Sequence, residues 1–245
     1  IRNPFRDSRN PFFDKFFKEI FPRLNNNRKS LGSGVIIHPE GYILTNEHVV
    51  ARATSIKVTL IDKREFNAHL VGADIKSDLA VIKIESKESL PHVKLGRSDD
   101  LMIGETVIAI GNPFGLQHTV TTGIISALHR SIKGGKNRVY RDFIQLDASI
   151  NPGNSGGPLL NINGSLIGVN TAIFKQAEGI GFAIPINKAK RIINDLIRYG
   201  KVRRGWLGVS VQDMTKEMLR FFHIDRVRGV VVVQVMKGSP GARAG

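Results

Sequence analysis

From Ser33 onward the chain consists of short apolar or alternating runs separated by Gly, Pro, Asn or Asp. One series comprises Val35 to Ile37, Tyr42 to Leu44, Ile56 to Ile61, Leu79 to Ile84 and Val107 to Ile110. A second comprises Val120 to Leu128, Phe143 to Leu146, Leu159 to Ile162, Leu166 to Ile173 and Ile180 to Ile184. Runs of this length with turn residues between them predict an all-β protein, and two series predict two lobes. The period then changes: Ala189, Ile192, Ile193, Leu196 and Ile197 fall on one helical face, with Asn187 as the expected N-cap and Gly200 as the stop. Val230 to Val235 reads as a later strand. The opening residues differ from all of this, since Phe5, Phe12, Phe13, Phe16, Phe17 and Phe21 crowd among Asn, Arg and Lys. Aromatics at that density demand burial, either against their own domain or against another copy of the chain.

Three of the turns between these runs carry candidate chemistry. Ser155 stands in Gly153-Asn154-Ser155-Gly156-Gly157-Pro158, where glycines let backbone amides converge on a substrate oxygen. A serine hydroxyl attacks an amide poorly unless a base takes its proton, and histidine, with an unperturbed pKa of ~6.5, suits that task. His48 lies in Thr45-Asn46-Glu47-His48-Val49-Val50. An imidazole acting as base needs a carboxylate on its far nitrogen to fix the tautomer, and Asp78, in Ser77-Asp78-Leu79-Ala80-Val81-Ile82, supplies one. Taken singly, each has a plainer explanation: a turn serine, a satisfied histidine at a strand end, and a turn-capping aspartate with Asp74 as a competing orienter. Taken together, they follow the His, Asp, Ser chain order of chymotrypsin-type proteases. The expected oxyanion donors are the amides around Gly153, Asn154 and Ser155.

Further stretches carry a family resemblance: Leu31-Gly32-Ser33-Gly34-Val35-Ile36-Ile37, Gly41-Tyr42-Ile43-Leu44-Thr45-Asn46, Gly111-Asn112-Pro113-Phe114-Gly115 and Gly179-Ile180-Gly181-Phe182-Ala183-Ile184-Pro185. With the three turns, they resemble the HtrA (high-temperature-requirement A) serine proteases, which include the bacterial DegP, DegQ and DegS types. The resemblance implies a chymotrypsin-like double six-stranded β-barrel with a C-terminal helix over residues 31–200. His48 and Asp78 come from the first barrel and Ser155 from the second. It also implies that the aromatic segment 1–30 clamps a homotrimer, or multiples of one. Arg204-Gly205-Trp206-Leu207-Gly208-Val209 resembles the start of a PDZ domain, of which residues 201–245 would be a linker and the first half. Trp206, Leu207, Gly208 and Val209 would form the loop whose amides bind a peptide C-terminal carboxylate.

Composition narrows the remaining possibilities. The 245 residues can bury a sizeable core, and 36 basic against 21 acidic side chains leave a net charge of +15. The denser basic stretches, Arg130 to Arg141 and Lys188 to Arg204, lack the interleaved aromatics that stack bases, so nucleic acid is not an expected partner. There is no cysteine, and the seven histidines show no metal-ligand spacing. No Walker loop is present either, so no metal and no cofactor is expected. No run of about 18 apolar residues and no signal peptide is visible, and membrane contact is left open. A chain opening on Ile1 is expected to be processed or trimmed.

Specificity and regulation follow from the same resemblance. The base of the substrate pocket falls at Ser149, where an acid would select basic residues, and Ile173 and Ile180 would narrow its walls. Cleavage after small or medium aliphatic residues is therefore expected, although Ile180 also reads as barrel core. Arg130 matches the family's sensor-loop arginine, or is a surface arginine with no signalling role. The expected activity is an ATP-independent endopeptidase acting on unfolded or misfolded proteins in a bacterial periplasm or cell envelope. Two alternatives stay open: a holdase chaperone with secondary proteolysis, and a DegS-like signalling protease that cuts one target.

Overall fold

The computed structural model describes residues 31–51, 53–112, 119–133, 139–151, 153–173, 179–224 and 229–245. The aromatic segment 1–30, and with it the expected trimer contact, lies outside them. The chain divides into two compact units, one ending at Val202 and one running from Arg203 to Gly245.

In the first unit, β1 (Val35–Ile36), β2 (Tyr42–Thr45), β3 (Ile56–Thr59), β4 (Glu65–Asp74) and β5 (Leu79–Ile84) form an antiparallel sheet in the order β1-β2-β5-β4-β3. Strand β4 escaped the sequence pattern because a bulge between Leu70 and Gly72 interrupts the alternation of Phe66, Ala68 and Leu70 and brings Val71 against the main core. Where six strands were expected, the described residues contain five. The segment beyond β5 runs beside β1, with Val93 N–H on the Ile36 carbonyl at 3.0 Å and Leu90 N–H on the Pro39 carbonyl at 2.9 Å. Pro91 between them has no N–H to donate, so no regular ladder forms there.

The second lobe is a closed barrel of β6 (Thr106–Gly111), β7 (Thr119–Lys133), β8 (Val139–Leu146), β9 (Pro158–Asn161), β10 (Leu166–Ile173) and β11 (Gly181–Pro185), in the order β10-β11-β8-β7-β6-β9. A helix preceding β3, α1 (Glu47–Val50), carries His48, and α2 (Ile186–Tyr199) follows the barrel. The main core joins the two lobes. Leu44, Leu79 and Val81 of the sheet meet Leu166, Val169, Phe182 and Ile184 of the barrel, with Ile186, Ala189, Ile193 and Leu196 of α2 in the same cluster. Each such side chain contributes about 1.5–3 kcal/mol on burial, so the lobes are held by the interior and not by surface pairs.

Helix α2 ends as expected, on Gly200 in the left-handed region, but it starts one residue before the expected cap. Its N-cap is Pro185, which has no side-chain acceptor. The hydroxyl of Ser98 accepts the Asn187 N–H at 3.0 Å instead, and the Asn187 side chain donates to Asp99 Oδ1 at 3.0 Å. Hydrogen bonds from Arg97 and Asn187 hold the Asp99 carboxyl far below the usual carboxylate range.

The second unit contains β12 (Val209–Asp213) paired with β13 (Val230–Val235), α3 (Lys216–Phe222) and α4 (Pro240–Ala244). Of the expected carboxylate loop, Val209 already opens β12 opposite Val235. The Leu207 and Gly208 carbonyls accept the Gly241 and Met236 amides at 2.7 and 2.8 Å, and the Trp206 and Leu207 side chains are exposed. No helix among the described residues is long and apolar enough to cross a membrane.

Candidate active site

Strand pairing explains why residues remote in sequence meet. Strands β2 and β5 are antiparallel with Thr45 opposite Ala80, so the chain leaving β2 and the chain entering β5 lie at one end of the sheet. His48 is on the first and Asp78 on the second. Strands β9 and β10 are antiparallel with Val169 opposite Pro158, which likewise puts the turn bearing Ser155 beside Thr171.

The His48 Nδ1 lies 2.8 and 2.9 Å from the two carboxylate oxygens of Asp78, with side chains only 3% and 1% exposed. A carboxylate can only accept, so the Nδ1 of a neutral ring carries the proton and its Nε2 is left as an acceptor. The carboxylate also accepts the His48 N–H at 3.2 Å and the Thr171 hydroxyl at 2.7 Å. A buried carboxylate needs such donors, because the interior does not replace its lost hydration. Asp78 itself has φ +56°, a left-handed backbone that Asp and Asn adopt more readily than bulkier residues. The Asn46 side chain donates to the Asp78 carbonyl at 2.9 Å and leaves its own helix α1 without a side-chain cap. Asp74, the competing orienter, instead accepts the Ser77 N–H at 2.9 Å and the Ser77 hydroxyl, bracing the turn that presents Asp78.

Ser155 is buried, and its hydroxyl donates to the Thr171 carbonyl at 3.1 Å. Thr171 therefore touches the serine through its backbone and the aspartate through its side chain. Around Ser155 the amides divide into two sets. Those of Asn154, Gly156 and Gly157 donate to the carbonyls of Asn151, Asn170 and Asn154 at 2.9, 2.8 and 2.9 Å. Those of Gly153 and Ser155 donate to no backbone carbonyl among the described residues. Gly153 and Gly156 hold φ values of +106° and +86°, which glycine reaches at little cost. A Cβ on Gly156 would also run into the Ser33 carbonyl and the Thr45 hydroxyl. The Asn154 side chain is buried and donates to the Ser149 carbonyl at 3.4 Å.

The other expected site residues are placed as follows. Ser149 is exposed, and its carbonyl also accepts the Thr121 hydroxyl at 3.0 Å. Ile180 is half-buried and packs on the main core, as its second reading anticipated. Ile173 ends β10 opposite Gly181, and its side chain lies outside the described residues. Arg130 is a strand residue of β7 opposite Phe143, and its Nε donates to Gln145 Oε1 at 2.9 Å, while residues 134–138 of the expected sensor loop lie outside the described residues. Asn46 and Thr171 were not anticipated from sequence. Their only signal was an uncharged polar residue inside a candidate motif or inside an apolar strand.

Residues 32–169 match the trypsin-like peptidase domain family. A DegP-like periplasmic serine endoprotease of Hahella chejuensis is 48% identical over 246 residues, covering 99% of this chain and 52% of that protein. One of Chlamydia pneumoniae is 49% identical over 252 residues, covering 99% of this chain and 50% of its own. The chain thus spans about half the length of the curated relatives it matches. Among solved structures, the HtrA-type protease AlgW with a tripeptide is 51% identical with a TM-score of 0.78, covering 87% of this chain and 71% of that one. AlgW with a decapeptide is 50% identical with a TM-score of 0.75, covering 88% and 66%. The chain belongs to the trypsin-like peptidase domain family and, within it, to the HtrA-type proteases.

Proposed function

We propose that this chain is the peptidase portion of an ATP-independent serine endopeptidase that cuts unfolded proteins in a bacterial periplasm through an acyl-enzyme. The observation that carries this is the buried pairing of the His48 Nδ1 with both Asp78 oxygens, which commits Nε2 to the role of base. The Ser155 hydroxyl turns from the Thr171 carbonyl to Nε2 and gives up its proton as Oγ adds to the scissile carbonyl carbon. The resulting oxyanion takes hydrogen bonds from the Gly153 and Ser155 amides, whose lack of a backbone acceptor among the described residues supports this assignment. The imidazolium, stabilised by Asp78, passes its proton to the departing amine, and the acyl group stays on Oγ. Water then attacks the ester with Nε2 again as base, releasing the acid and restoring Ser155. Periplasmic action on proteins follows the names of the DegP-like relatives.

The test is covalent labelling. An alkyl fluorophosphonate phosphonylates one residue, and peptide mapping places the label on Ser155. A label on another serine, or none on the folded chain, overturns the assignment.

Specificity is proposed from the pocket base. Ser149 offers no charge, and the nearby Asp147 carboxylate is engaged by the Ile124 N–H at 2.6 Å. A P1 peptide library is expected to show cleavage after Val, Ile, Ala or Leu. Equal or faster cleavage after Lys or Arg contradicts the proposed pocket.

A further inference from the structure

Ser33, in the first lobe, makes more hydrogen bonds to the loop around Ser155 than any packing role requires. Its hydroxyl donates to the Gly153 carbonyl at 2.7 Å, across 120 residues of chain, and accepts the Asn112 N–H at 3.0 Å. Its N–H donates to the Ser155 carbonyl at 2.8 Å, and its carbonyl accepts the Thr45 hydroxyl at 2.7 Å. The hydroxyl thus has both its proton and a lone pair engaged. We propose that Ser33 is the positioning residue of the oxyanion loop, acting through the Gly153 and Ser155 carbonyls; this rests on the function proposed above.

Peptide planarity supplies the physical reason. In a trans peptide the C=O and N–H point in opposite directions, so fixing a carbonyl also fixes the amide behind it. The Gly153 carbonyl on Ser33 sends the Asn154 N–H toward Asn151, where it is found at 2.9 Å from the carbonyl. The Asn154 carbonyl is in turn held by the Gly157 N–H at 2.9 Å, and the Ser155 N–H of the same peptide points the other way. The Ser155 carbonyl on Ser33 completes the hold. Gly153 has no side chain to limit its rotation, so its peptide is held only at its two ends, by the Ser33 hydroxyl on the carbonyl and by the Asn154 N–H on Asn151, and losing the first leaves one hold among the described residues. The hydroxyl also connects this loop to Asn112, at the end of β6, so both segments are referenced to one atom.

The experiment compares wild type with Ser33→Ala in the full chain. The expected result is a fall in kcat of about 10²-fold, the scale of losing one oxyanion donor, with KM changed by less than about threefold. Affinity for a peptide boronate, which places an anionic oxygen in the same position, falls by the same factor. Fluorophosphonate titration counts competent sites, so the loss is expressed per active molecule. A wild-type kcat, or a loss that a smaller titratable fraction fully explains, overturns the role. Should the alanine variant not fold, Ser33→Cys retains the size with a weak donor and is expected to lose at least about tenfold in kcat; an unchanged kcat there overturns the role equally. Failure of wild type itself to be labelled at Ser155 sinks the proposed function, and is recognised before any variant is compared.

Discussion

Replacing Ser155 by alanine is expected to lower casein hydrolysis by about 10⁴-fold or more while leaving the thermal unfolding profile close to wild type. The folded state loses one hydrogen bond, from the hydroxyl to the Thr171 carbonyl, and no buried charge is stranded. The proposed chemistry loses its nucleophile. His48→Ala is expected to fall to the same residual rate, and the double variant no lower, because serine and imidazole act in one step and their effects do not multiply. Residual activity within about tenfold of wild type would mean that another group attacks. The same proteins separate proteolysis from client holding: suppression of aggregation retained by Ser155→Ala identifies holding as an independent activity.

Asp78→Asn is expected to reduce kcat by about 10⁴-fold, the scale known for serine triads, with little change in KM. Asparagine is close to aspartate in shape and tolerates the left-handed backbone at this position, so the turn survives. What changes is the partner offered to Nδ1. A carboxylate accepts at both oxygens, whereas the amide presents an NH₂ that already has protons to donate. The ring then carries its proton on Nε2, where the base must be empty. Retention of kcat within about tenfold would reduce Asp78 to a turn residue, and its contacts at 2.8 and 2.9 Å to His48 would need another purpose.

The three candidate catalytic residues were legible because each sits in a short motif whose chemistry is local, and because the strands flanking them are short apolar runs bounded by turn residues. Ten of the first unit's eleven strands and β13 were visible as apolar runs, although Val107 to Ile110 was grouped with the first lobe and belongs to the second as β6, and Val209 was read as loop where β12 begins. Strand β4 was not visible, since its bulge puts Val71 out of phase with Phe66, Ala68 and Leu70 before it. The cap of α2 was misplaced because sequence offered Asn187 as a local candidate, while the actual acceptor, the Ser98 hydroxyl, lies 89 residues away. Thr171 and Ser33 were missed on the same principle: their partners are 93 and 120 residues distant, and nothing in a serine or threonine reveals a distant partner. Ile180 could be read as pocket or core, and only packing decides between them.

The bonds from Thr171 to Asp78 and from Ser33 to Gly153 also set an order of events during synthesis. A nascent chain that has not yet delivered residue 171 to the folded first lobe has no complete cutting apparatus, however well that lobe has formed. Contacts this remote close late, so the newborn molecule is expected to stay inactive until its second lobe has formed on the first. Because Asp78 and Thr171 are 1% and 0% exposed, heating is expected to abolish activity together with the junction between the lobes, a delay at one end of the molecule's life without an early failure at the other.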